Sequence, residues 1–121
     1  MTPRKLALAA ADAALTKKAL QITILDVRGK VDYADYLVLA SGQSDRHVQA
    51  IAAAVEERMR KAQARSRGIE GLGHAQWVLM DFGDIVVHVF QRPVRSIYDL
   101  EGLWLDAERI PVPTDGDLAE E

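Results

Sequence analysis

Cysteine is absent from the 121 residues, which removes disulfide staples and thiolate metal centres and is compatible with a reducing compartment. Long apolar runs are missing as well, and none approaches the roughly 20 residues that cross a bilayer. The N-terminal stretch MTPRKLALAAADAAL has basic residues ahead of small apolar ones, in the manner of a signal peptide. Asp12 interrupts it and Lys17 and Lys18 follow, so it reads as an amphipathic helix and the expected location is cytoplasmic. Prolines number only 4. Pro3 and Pro93 can each open a helix, while Pro111 and Pro113 fall in an aperiodic C-terminal stretch. A basic excess is lacking too. Residues 106–121 hold six acids and one arginine, a charge of −5, and residues 1–105 hold twelve acids and fourteen bases, a charge of +2. A nearly neutral body gives no support to a sequence-specific nucleic-acid reader.

What is present suffices for one domain with one core. Thr2 and Pro3 start a helix to about residue 20, with Leu6, Ala9, Ala10, Ala13 and Leu20 on one side. The β-branched run from Ile22 to Val27 reads as a strand. The continuous apolar run from Asp35 to Gly42 suits a strand buried on both faces. Ser44 caps a helix over about 45–62, whose stripe is Val48, Ile51, Ala52, Val55 and Met59. An edge strand near Gly68–Glu70 and a hairpin from Trp77 to Gln91, turning at Gly83-Asp84, follow. Pro93 opens a short helix to about Tyr98. The expected fold is a single α/β domain, residues 1–105, with a mixed sheet of four to five strands and flanking helices. Residues 106–121 are expected to be an acidic tail, disordered in part or throughout.

Several patterns point to chemistry and are answered by plainer readings. Asp81-Phe82-Gly83 matches the magnesium-binding tripeptide of kinases, but the chain lacks the other kinase loops, and a hairpin turn explains the same letters. Ser41-Gly42-Gln43-Ser44 lies between a strand and a helix, where backbone N–H groups can cradle a phosphate. Small nucleotidyltransferases add a carboxylate pair on a neighbouring strand. Asp81 and Asp84, three apart, point to opposite faces of a strand. A nucleotide-binding domain using these residues is the rival reading; a helix cap is the simpler one. His47, His74 and His88 are far apart in sequence, and a zinc site would require them to converge. No catalytic, metal or cofactor set is expected.

The stretch from Trp77 to Trp104 is different. It carries both tryptophans and ends in Tyr98-Asp99-Leu100-Glu101-Gly102-Leu103-Trp104. So much apolar bulk in a short segment is hard to bury fully in a small domain. With acidic residues around it, it has the composition of a surface met by another macromolecule.

At these residues the chain resembles the ribosomal silencing factors, or Iojap-related family. The matching pieces are Asp35-Tyr36 with Leu37 to Gly42, and Ser44-x-Arg46-His47-Val48 with Ala50-Ile51-Ala52. They continue with Glu70-Gly71, Trp77-Val78-Leu79-x-Asp81-x-Gly83-Asp84, Val86 to Phe90, and Tyr98-Asp99-Leu100-Glu101-x-Leu103-Trp104. They run in family order over residues 5–106. The resemblance implies a nucleotidyltransferase-like fold without the catalytic set and a non-enzymatic role. It implies binding to the large ribosomal subunit through protein L14 at the intersubunit face, blocking subunit joining, and a homodimer when free. Carried over by position, the implied contact residues are Glu70, Trp77, Met80, Asp81, Tyr98, Asp99, Leu100 and Glu101.

Overall fold

The computed structural model describes residues 1–112. Helix α1 spans Pro3–Thr16, with the Thr2 hydroxyl accepting from the Lys5 N–H at 3.2 Å. It stops earlier than its apolar periodicity predicts. Lys18 takes a left-handed φ of 60°, and the Ala19 and Lys18 N–H groups return to the Ala14 and Leu15 carbonyls at 3.2 and 2.8 Å. That arrangement closes a helix end by itself. With a lysine in the place usually held by glycine, the stop is not visible in the letters.

The strands are β1 (Leu20–Asp26), β2 (Tyr36–Gly42), β3 (Gly68–Glu70), β4 (Trp77–Asp81), β5 (Ile85–Gln91) and β6 (Glu108–Ile110), in the spatial order β3-β4-β5-β2-β1-β6. Among the described residues the sheet therefore has six strands, not four or five. The additional strand is β6, which pairs antiparallel with β1 through Ile24–Ile110, Leu25–Arg109 and Asp26–Glu108. It lies in the stretch assigned to the acidic tail; residues 113–121 of that tail lie outside the described residues. The sheet is mixed, since β2 and β5 run parallel and the other pairs antiparallel. The chain crosses from β2 to the β3–β4 edge through α2 (Asp45–Lys61), the kind of long connection that parallel neighbours require.

Two helices cover one face of the sheet. On α2, Val48, Ile51, Val55 and Met59 are fully buried, each worth about 1.5–3 kcal/mol of burial. They meet the alanine-rich face of α1 and the inward residues Val38, Ala40, Val87 and Val89. Arg58 and Asp12 clamp the two helices at 2.8 Å. The opposite face has a smaller core of Leu25, Val27, Leu37, Leu39, Val86 and Phe90. Its cover is slight: the seven-residue α3 (Arg92–Tyr98) and the single turn α4 (Leu100–Leu103). Val94, Leu100 and Trp104 from this segment pack on that core and stay half-buried.

Candidate functional site

The thinly covered face is where most of the expected contact residues gather. Along β4, alternation sends Trp77, Leu79 and Asp81 to that face and Val78 and Met80 to the helical side. Met80 is 1% exposed and belongs to the main core. Its assignment as a contact residue is corrected: β-strand parity places it under the helices, where a partner cannot reach it. Glu70 is exposed on edge strand β3, directly across from Leu79, which in turn faces His88 on β5.

Trp77 centres an aromatic cluster, with ring centroids 4.6 Å from Tyr98, 5.1 Å from Phe90 and 5.9 Å from His88. Its indole N–H donates to His88 Nδ1 at 3.0 Å. That bond leaves the imidazole hydrogen on Nε2. Burial pulls the His88 pKa down to about 4, so the ring is neutral near pH 7. Gly71 supports the arrangement from behind. Its φ is 90°, and a Cβ there would stand 2.1 Å from the Trp77 carbonyl oxygen. Glycine is therefore required at the turn that delivers β4.

The remaining expected residues divide. Tyr98 is 55% exposed, beside Ile97 at 76%, Leu103 at 66% and Leu105 at 82%. The exposed apolar side chains of residues 97–105 thus include Ile97, Leu103 and Leu105 besides the expected Tyr98. Leu100 is half-buried against the second core, and Asp99 is exposed with a left-handed φ of 43° at the α3–α4 junction. Asp81 lies at the far end of β4, roughly 13 Å along the strand from Trp77. Its Oδ1 accepts from the Gly83 N–H at 2.8 Å, stabilising the hairpin turn where Gly83 takes a φ of 88°. Glu101 already has a partner, with Oε1 3.0 Å from Arg95 Nε. Arg95 was not among the expected residues. A single arginine in a seven-residue helix carries no sequence pattern that marks it.

The residues of the rival nucleotide reading are kept apart. Gly42 is level with Gln91 and Asp81 with Val86, so the two ends of that site are separated by roughly 16 Å of strand. The groups that would grip a phosphate are engaged within the chain. Arg95 Nη1 donates to Ser41 Oγ at 2.9 Å, the Gln43 N–H donates to His47 Nδ1 at 2.9 Å, and the His47 N–H donates to Ser44 Oγ at 3.1 Å. His47 is tied to the α2 start and the Lys17 carbonyl, whereas His88 lies in the sheet. Among the described residues, no group of three or more histidines and carboxylates is placed to hold a metal ion.

A sheet face this thinly covered, with an aromatic cluster and exposed apolar side chains at 97–105, suits contact with a macromolecule better than catalysis. The family model "Ribosomal silencing factor during starvation" matches residues 1–121. The chain belongs to that family, whose members are regulators and not enzymes. It is 46% identical over 87 residues to ribosomal silencing factor RsfS of Zymomonas mobilis, covering 72% of this chain and 65% of that one. It is 44% identical over 103 residues to the Bacillus subtilis RsfS, covering 85% of each. A mouse relative named "Mitochondrial assembly of ribosomal large subunit protein 1" is 33% identical over 91 residues, spanning 73% of this chain and 40% of that one. A crystal structure from Chromobacterium violaceum superposes with a TM-score of 0.85 at 32% identity, covering 93% and 92% of the two chains.

Proposed function

We propose that this protein docks on the large ribosomal subunit through protein L14 at the intersubunit face and blocks joining of the small subunit, repressing translation in the cytoplasm. The observation that carries the reading is the Trp77–Tyr98 pair. It presents an aromatic step on the thinly covered side of the sheet, with Ile97 and Leu103 exposed on the same α3–α4 segment. Family membership and the large-subunit name of the mouse relative support the choice of partner. The docking residues on this reading are Glu70, Trp77, Asp81, Tyr98, Asp99 and Leu100, with Glu101 behind them. The carboxylates of Glu70 and Asp99 favour a basic protein surface, and an interface near 800 Å² per partner is ordinary for such a grip. Occlusion needs no catalytic group; it needs bulk and an off-rate slow against subunit joining. A homodimer of the free chain belongs to the same reading.

Co-sedimentation with purified large subunits tests the proposal. The protein is expected to travel with large subunits, to reduce formation of joined ribosomes when small subunits are added, and to need about thirtyfold more protein for both effects in Tyr98→Ala. Full subunit joining at saturating protein overturns it. Calorimetry with a nucleoside triphosphate and magnesium separates the rival reading, for which binding heat is required.

A further inference from the structure

Arg95 is 6% exposed and, among the described residues, is the one arginine or lysine that is buried. Its guanidinium ties three parts of the fold together. Nη1 donates to Ser41 Oγ on β2 at 2.9 Å and to the Gln21 carbonyl, Nη2 donates to Thr23 Oγ1 at 3.0 Å, and Nε donates to Glu101 at 3.0 Å. The β1 strand is deformed at that point. Its register shifts between Leu20 and Thr23, and Gln21 takes a left-handed φ of 51°. Such a conformation is costly for a side-chain-bearing residue and persists where surrounding structure enforces it. Here the bulged Gln21 turns its carbonyl to the guanidinium. Helix α3 has no side-chain N-cap and only seven residues, too few to hold a helix by themselves.

We infer that Arg95 is the positioning residue of the docking segment, and that Glu101 serves Arg95 rather than the partner. Arg95 lies one turn before Tyr98, so fixing its guanidinium against β1 and β2 fixes the helix turn that presents Tyr98 beside Trp77. The Glu101 carboxylate caps the same guanidinium from α4, and its Oε2 lies 3.7 Å from Arg109 on β6. One buried cation thereby sets the orientation of a segment whose own packing is slight. This inference rests on the docking role proposed above for that segment.

The full-length chain is tested as Arg95→Met, Arg95→Lys, Thr23→Val and Glu101→Gln, with amide hydrogen exchange and large-subunit co-sedimentation as readouts. Arg95→Met is expected to speed exchange across residues 95–104 while β2 and β5 stay protected, and to weaken subunit binding by about tenfold or more. Arg95→Lys, which keeps the charge and part of the bonding, is expected to fall between. Glu101→Gln keeps an acceptor for Nε and is expected to bind within about twofold of the parent chain. If Arg95→Met also loosens the sheet, Arg95→Lys and Thr23→Val decide the matter by faster exchange confined to 92–104. Unchanged exchange in those variants overturns the inference. So does a Glu101→Gln that loses binding with exchange unchanged, because the partner then reads the charge. If the parent chain fails to sediment with subunits, the docking reading falls, while the exchange results still decide whether Arg95 orders the segment.

Discussion

Trp77 and His88 are diagonal neighbours across the β4–β5 pair, joined by an indole N–H bonded to an imidazole nitrogen at 3.0 Å. A proton arriving at His88 Nδ1 would meet the hydrogen that Trp77 already directs there. The bond and the charged imidazole are therefore mutually exclusive, and burial reinforces the neutral form.

The pH dependence of stability follows. The folded-state pKa of His88 is about 4, against an ordinary value of 6.5. Below the ordinary value the unfolded chain takes up a proton that the folded chain refuses. Stability from this residue is present above pH 6.5 and lost as pH falls towards 4, on the order of 3 kcal/mol in all. Urea unfolding at pH 7.5 and pH 4.5 should show a smaller acid loss in His88→Phe than in the parent chain. Parallel losses in the two would refute the assignment. Asp26 and Asp106, whose pKa values are lowered by Arg28 and Lys30, act in a lower pH window and in both chains.

Tyr98→Ala should separate binding from folding. The side chain is 55% exposed, so its loss is expected to change stability by less than about 1 kcal/mol. Removing a central aromatic anchor should weaken large-subunit binding by about 2 kcal/mol, close to thirtyfold. Titrated co-sedimentation and thermal melts measure the two effects.

Met80→Ala should do the reverse. At 1% exposure in the main core, its truncation is expected to cost about 2–5 kcal/mol of stability. Subunit affinity corrected for the folded fraction should stay within about twofold of the parent value. A selective loss of binding with an unchanged melt would restore Met80 to the contact surface.

Gly71→Ala tests the support behind Trp77. The added methyl meets the Trp77 carbonyl, at 2.1 Å, on a backbone with φ 90°. Neither the strand nor the turn can give way cheaply, and a loss of more than about 2 kcal/mol is expected. Trp77 fluorescence in a Trp104→Phe background should shift as the cluster is displaced, and an unaltered spectrum and melt would show that the turn accommodates the methyl.

The elements that bury long apolar patterns were legible before the fold was known. The stripe of α2 and the hairpin turning at Gly83 read directly from periodicity and turn chemistry. So did the buried run from Tyr36 to Gly42. Strand β6 did not, because three residues beside Pro111 and a row of acids carry no alternation. Its pairing is a property of β1, which offers an open edge. The proposed docking residues rest on a composition around Trp77 and Tyr98 and on positions that the resemblance implies. Met80 was misplaced because motif position ignores strand parity. Arg95 stayed hidden since its role lies in partners 54 to 74 residues away in sequence.

The lopsided cover of the sheet has a consequence for how this molecule can change over generations. On the proposed reading, Trp77 and Leu100 both roof the lesser core and greet the visitor. A substitution that sharpens attachment there also alters how long the fold survives. Drift in grip and drift in durability are then inherited together, and a chain selected for a looser hold would be expected to melt sooner.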